Sequence, residues 1–229
     1  MIVGAVCLQG GGEFSPGCRE MDAALVAAYP GPVVVTALAG APGREHDTAN
    51  RNGVAHYRTV GAREVRSAPD ARTDPEGARL ALEGARVVVL PGGSPARLLA
   101  ALRSTPVGER LRAVLDEGGL VVGSSAGAMV VCGSTVLPDR PGMPVEPGLG
   151  LVPDALVVPH WHGERVDWLR AAEQAVPAPG LVLGLPEESG LLVEGTTVTA
   201  LGQRASRVVL AGRDLPVGSR TDLAELAVG

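Results

Sequence analysis

Six short runs rich in valine and leucine, each fenced by glycine or proline, constrain this chain more than any other feature. They are Ile2–Leu8, Pro32–Leu38, Arg86–Leu90, Gly119–Val122, Ala155–Val158 and Gly180–Leu183. None alternates apolar with polar residues, so each predicts a strand buried on both faces, as in a parallel sheet. Helix-like stretches lie between them, over Cys18–Ala28, Pro75–Glu83, Pro95–Leu102, Val107–Glu117 and Gly163–Ala175. Alternation of strand and helix predicts an α/β fold: a doubly wound, mostly parallel sheet with helices on both faces. Within Gly190–Leu210 the pattern shifts to short alternating runs, TTVTAL and RVVLAG, which predict a small antiparallel appendix to the main sheet. The proline-broken segment Leu137–Pro153 reads as a long loop. No repeat or linker interrupts the pattern, so residues 1–229 are expected to form one domain, long enough to bury a substantial core.

Charge and cysteine usage narrow the function. The formal net charge is -5, and the 20 basic residues are all arginine and scattered. That pattern gives no basic face for a nucleic-acid partner. Cys7, Cys18 and Cys132 are odd in number and far apart, without a C-x-x-C pair, which argues against a zinc site or a disulfide framework. No run approaches the ~18 apolar residues of a membrane span, and the N-terminus lacks the basic region of a signal peptide. The expectation is a cytoplasmic protein with no metal, cofactor or membrane partner. A homodimer through a sheet edge or helix face stays open.

One strand ends on chemistry. Gly123-Ser124-Ser125-Ala126-Gly127 follows the run Leu120–Val122 and precedes an apolar stretch, Ala126–Val131, that reads as a helix. The G-x-S-x-G spacing selects Ser125 as a nucleophile on a strand-to-helix elbow. Such a turn strains the backbone and requires very small neighbours. The helix that follows offers free N–H groups to an oxyanion. His46 and His56 sit in a polar, arginine-rich stretch and read as surface or loop residues. His160 and His162 follow a predicted strand at its carboxyl end, where α/β active sites collect.

A third group must orient the imidazole and stabilise its charged form. Glu187, Glu164 and Asp139 are the candidates, and spacing does not separate them; Glu188 reads as a solvated neighbour. A glycine pair in Pro91-Gly92-Gly93-Ser94 closes another strand and offers the Gly93 N–H as an oxyanion donor beside that of Ala126. Trp161 and Trp168 flank the histidine segment; Trp161 is a candidate wall of a substrate pocket.

The segments VVVLPGGSPARLL, VVGSSAGAM, VVPHWHGERVDWL and LGLPEESGLLVEG occur in the order found in the dipeptidase E and cyanophycinase family of serine peptidases, and CLQGGGEF resembles that family's glycine-rich first turn. The resemblance runs from Leu8 to about Gly195. It implies a class I glutamine-amidotransferase-like fold, with Ser125 as nucleophile, His160 as general base, Glu187 as orienting acid, and Gly93 and Ala126 as backbone oxyanion donors. The implied substrate is a small peptide or amide, cleaved without a cofactor.

Two departures stand out. Ser94-Pro95 follows the glycine pair where the family has polar Asn or Asp and Thr. The R-x-x-R after the histidine keeps Arg165 but has Trp168 at its second site. Arg165, Arg140 and Arg170 are candidates to receive an acidic substrate side chain, whereas Asp139 and Glu146 are candidates for an acidic subsite. Two other readings stay open: an amidotransferase-like hydrolase using His162 and Glu164, and a non-catalytic binding protein on the same fold. Cys132 lies too far past Ser125 to replace it.

Overall fold

The computed structural model describes residues 3–163, 168–169 and 180–227. Five parallel strands form the centre of the main sheet: β1 (Ala5–Gln9), β2 (Val33–Val35), β3 (Val65–Ser67), β4 (Val87–Leu90) and β5 (Leu120–Ser124), in the order β1-β5-β4-β2-β3. Every residue of β1, β2, β4 and β5 is buried. Alternate residues of these strands enter different cores. Val34, Val88, Leu90 and Val121 pack into one, and Val33, Val35, Val87, Val89, Leu120 and Val122 into the other. Two covered faces explain why the runs show no polar alternation.

Helices α1 (Arg19–Ala28) and α2 (Arg44–Thr59) contribute Met21, Leu25 and Tyr57 to the second core. Helices α3 (Pro75–Ala81), α4 (Pro95–Ser104), α5 (Val107–Asp116) and α6 (Ala126–Val131) contribute residues to the first. Two of them begin on matched signals. The side chains of Asp74 and Ser94 accept the N–H of Gly77 and Arg97, and a proline follows each cap.

The α/β class and the mostly parallel centre agree with the sequence expectation, and four corrections follow. First, the runs at Ala155–Val158 and Gly180–Leu183 leave the main sheet. They form β8 (Ala155–Pro159) and β9 (Leu181–Leu185), parallel neighbours in a separate four-stranded sheet with β12 (Ser206–Val208) and β13 (Arg213–Leu215). Second, the antiparallel tail is divided. TTVTAL falls in β11 (Thr197–Gly202), which extends the main sheet with β10 (Ser189–Glu194) and β14 (Arg220–Asp222), whereas RVVLAG supplies β12 to the other sheet. Apolar runs disclose burial on both faces but not which sheet supplies the neighbours. Third, Leu137–Pro153 is not wholly loop: β7 (Val145–Pro147) pairs with β6 (Ser134–Val136), its proline at the end of the short strand.

Fourth, α2 and β3 are absent from the pattern-based expectation. The buried stripe of α2 is His46, Asn50, Gly53, His56 and Tyr57, which has helical spacing but polar residue types. A search for apolar periodicity passes over it. His46 and His56 are therefore buried, at 3% and 6% exposure, and not surface or loop residues. Asn50 Oδ1 accepts the N–H of Ala37 (3.1 Å), and its Nδ2 donates to the Ala68 carbonyl (3.3 Å), so the helix is docked through an amide. His56 Nε2 lies 2.7 Å from Asp22 Oδ2, and Gln9 Nε2 donates to Asp22 Oδ1 at 2.7 Å, a buried polar knot behind the end of β1. The helix expected over Gly163–Ala175 falls almost entirely outside the described residues. Among the described residues, no helix is long and apolar enough to cross a membrane.

All three cysteines are free and buried. Burial pushes the Cys18 thiol up to about 11 and raises those of Cys7 and Cys132 as well. Below the ordinary thiol value of about 8.5 these groups are protonated in both states. Above it the unfolded chain loses protons that the folded chain retains, so stability falls as pH rises. Denaturant midpoints measured from neutral to strongly alkaline pH are expected to decline from about pH 8.5 upward, and Cys18→Ala is expected to flatten that decline.

Candidate active site

The elbow at Ser125 is built by close packing. Ser125 has φ 49° and ψ −111°, a conformation that side-chain-bearing residues rarely adopt. A Cβ at Gly123 would lie 2.6 Å from the Gly127 backbone, and one at Gly127 would lie 2.1 Å from the Leu90 carbonyl oxygen. The two glycines thus allow α6 to sit against both β5 and β4. Ser124 is buried, and its hydroxyl donates to Glu13 Oε2 (3.0 Å), while Ser125 is half-buried with its Oγ turned to His160.

His160 and Glu187 arrive from the other sheet. His160 follows β8, and Glu187 lies in the short connection by which the chain passes from β9 to β10, that is, from one sheet to the other. Ser125 Oγ is 2.9 Å from His160 Nε2, and His160 Nδ1 is 2.8 Å from Glu187 Oε1. This is the connectivity of a nucleophile, a base and an orienting carboxylate. With Glu187 accepting at Nδ1–H, Nε2 carries the lone pair that faces the serine.

The backbone after β1 holds these pieces in register. The carbonyls of Gln9, Gly10 and Gly11 accept, in turn, the N–H groups of Ser125 (2.9 Å), His160 (2.8 Å) and Glu188 (2.9 Å). Gly11, at φ +124°, also makes room for the imidazole, because a Cβ there would fall 2.3 Å from His160 Cε1. Sequence reasoning noted this glycine run only as part of the resemblance and gave it no role. It also missed Glu13, whose Oε1 accepts the Gly92 N–H at 2.8 Å. A single acidic residue after three glycines carries no pattern that would single it out.

The glycine pair after β4 lies against Ser125, since a Cβ on Gly92 would be 3.1 Å from Ser125 Cβ. Neither the Gly93 nor the Ala126 N–H meets an acceptor among the described residues, so both remain free to donate.

The rival sites separate from this cluster. Asp139 accepts a hydrogen bond from Ser94 Oγ, at the cap of α4, and does not contact either histidine at the site. His162 is exposed, and it is His160 that meets Ser125. Glu164, Arg165 and Arg170 lie outside the described residues. Arg140 pairs with Glu146 (3.3 Å), which also pairs with Arg103 (2.9 Å), so that carboxylate is neutralised within the chain. Glu188 is not a solvated neighbour: it is half-buried and accepts from Ser15 Oγ at 2.7 Å. Trp161 packs on β9, where a Cβ at Gly184 would sit 2.6 Å from its indole, and Trp168 is half-buried against the first core. Cys132 is fully buried, with its thiol donating to the Ala128 carbonyl.

Comparison with known proteins identifies the family of the chain. The model of peptidase family S51 matches residues 44–201, more than half of the chain. A cyanophycinase of Synechococcus elongatus is 33% identical over 187 residues, covering 75% of this chain and 57% of its own length. A peptidase E of Streptomyces coelicolor is 37% identical over 163 residues, covering 63% of this chain and 64% of its own. The chain therefore spans little more than half the length of that cyanophycinase. Among solved structures, a peptidase from an acI-B1 Actinobacterium superposes with a TM-score of 0.80 at 20% identity, covering 96% of this chain and 97% of that one. At that identity the match speaks for the fold.

The clearance at Gly11 generates a test. Gly11→Ala is expected to retain the far-ultraviolet circular dichroism of the native chain while displacing His160. A displacement of this kind lowers the rate of Ser125 modification by a fluorophosphonate by about 10²-fold.

Proposed function

Because the chain belongs to peptidase family S51, we propose that it is a serine-type hydrolase that cleaves peptide or amide bonds in small peptides through Ser125, His160 and Glu187. The observation that carries the reading is the unbroken chain of contacts Ser125 Oγ–His160 Nε2–His160 Nδ1–Glu187 Oε1, at 2.9 and 2.8 Å across the two hydrogen bonds. Ser125 Oγ attacks the scissile carbonyl carbon as His160 Nε2 takes its proton. The carbonyl oxygen becomes an oxyanion facing the N–H groups of Gly93 and Ala126. His160 then passes the proton to the amine nitrogen, the C–N bond breaks, and an ester to Ser125 remains. Water adds to that ester, His160 again accepting the proton and returning it to Ser125 Oγ as the acid departs. Glu187 fixes the imidazole tautomer and offsets its positive charge in both halves of the cycle. Every step uses side chains and backbone N–H groups of this chain, and Trp161 borders the histidine as one wall of the substrate region.

Fluorophosphonate labelling with mass-spectrometric mapping tests the assignment. An adduct on Ser125 is expected in the native protein and none on Ser125→Ala. His160→Ala is expected to slow labelling by about 10²-fold or more, and Glu187→Gln by less, since Glu187 is the more exposed partner, at 55% against 38% for His160. A folded protein that never labels at Ser125, with large or small probes, would overturn the reading.

A further inference from the structure

The connection from β2 to α2, residues 36–43, has no regular secondary structure, yet Ala37, Leu38 and Ala39 are fully buried. Its peptides are held one after another by side chains. Asn50 Oδ1 accepts the Ala37 N–H (3.1 Å), Arg97 donates to the Ala39 carbonyl (2.8 Å), Arg72 donates to the Gly40 carbonyl (2.9 Å), and Glu45 Oε2 accepts the Ala41 N–H (2.7 Å). Arg72 is itself fixed by a bidentate pair with Asp70. These four side chains supply the hydrogen bonds that a neighbouring strand would supply elsewhere.

One of these carbonyls reaches the site. Ala39 O accepts the Ser94 N–H at 3.1 Å as well as the Arg97 guanidinium, so both of its lone pairs are used. Gly93, at φ +138°, packs on the same residue: a Cβ there would lie 2.8 Å from Ala39 O and 3.0 Å from Ala39 Cβ. On the other side, Glu13 Oε1 holds the Gly92 N–H at 2.8 Å. The peptide that carries the Gly93 N–H thus lies between two anchored peptides, and its direction follows from where they are fixed. Two glycines in succession give it no stiffness of its own.

The other contacts of Arg97 do not account for its side chain. Glu45 is 3.8 Å away, with side-chain exposures of 38% and 68%, which makes that ion pair weak. The cap of α4 uses the Arg97 backbone N–H, which other residue types supply equally well. What the guanidinium adds is a charge-assisted hydrogen bond to the Ala39 carbonyl, about twice as strong as a neutral one.

We propose that Arg97 is a positioning residue for the oxyanion site: by fixing the Ala39 carbonyl it fixes the Ser94 peptide, and through it the direction of the Gly93 N–H. The proposal rests on the serine-hydrolase reading, in which that N–H faces the oxyanion. Arg97 then acts in the step where charge develops on the carbonyl oxygen, and leaves the deprotonation of His160 and the ground-state binding of a probe as they are.

The test is fluorophosphonate labelling of Ser125 in the full chain, resolved into a saturating rate and a half-saturating concentration and followed across pH. Arg97→Met keeps the apolar stem and the backbone cap but has no side-chain donor. It is expected to lower the saturating rate by about 10²-fold, the cost of a misplacement of roughly 1 Å. The half-saturating concentration is expected to stay native, as is the pH of half-maximal labelling, which reports the base. Arg97→Lys, which restores a donor, is expected to recover most of the loss. If Arg97→Met does not fold, Arg97→Gln takes its place, since its shorter amide stops short of Ala39 and Arg97→Lys must out-label it. An unchanged saturating rate in the variant without the donor overturns the proposal and leaves the labelled nucleophile standing. A displaced pH of half-maximal labelling also overturns it, because the residue would then act through His160. A raised half-saturating concentration with the saturating rate intact does the same, as does an Arg97→Lys variant that labels no faster than Arg97→Met or Arg97→Gln. If no fluorophosphonate labels Ser125 in the folded native protein, the hydrolase reading fails and the proposal falls with it.

Discussion

Three consecutive carbonyls, those of Gln9, Gly10 and Gly11, hold the N–H groups of Ser125, His160 and Glu188. The rest of the site depends on this row. Ser125 comes from the main sheet, whereas His160 and Glu187 hang from the ends of strands in the other. No side-chain contact alone would fix two sheets to within the tolerance that a serine–histidine hydrogen bond demands. Backbone groups do it at low entropic cost, because they are already ordered by the strand that precedes them. Glycine is required at the third position for a steric reason: the imidazole occupies the space where a Cβ would be.

The same region concentrates backbone strain. Ser125, His160 and Glu188 have φ of 49°, 51° and 57°. Such conformations cost about 1–3 kcal/mol each when the residue is not glycine, and here each is pinned by one of the three carbonyls. The hydrogen bonds thus oppose relaxation at the points where relaxation would separate Ser125 Oγ from the imidazole of His160. The buried knot of Gln9, Asp22 and His56 braces the row from behind, joining the end of β1 to α1 and α2.

Much of this was legible in the sequence, for identifiable reasons. Valine runs at Val87–Leu90 and Leu120–Val122 announced doubly covered strands because both faces are in fact covered. Ser125 was legible because the elbow needs small residues at fixed spacing, and Gly123 and Gly127 meet that need. The contact of Glu187 with His160 was not legible from spacing, since Glu187 reaches the histidine only through a passage between sheets that no local pattern records. Resemblance to a family supplied it. Helix α2 escaped because its buried stripe is polar, and its partners, Asp22 and the Ala37 and Ala68 backbone, lie far away in the chain. Glu13 escaped for the same reason: its meaning resides in Gly92 and Ser124, 79 and 111 residues further on.

The row of carbonyls also acts as a ruler. Its partners are read off at successive residues, so a single residue inserted or deleted directly after Gln9 would leave Ser125 on the Gln9 carbonyl and shift the assignments of His160 and Glu188 by one. Those two N–H groups would then face the wrong carbonyl, while that of Ser125 would not, and the spacing between the serine and the histidine would be lost. Substitutions around the site can be absorbed one at a time, but a change in length here cannot be. The segment is therefore expected to keep its residue count under mutation even where exposed side chains elsewhere around the site change.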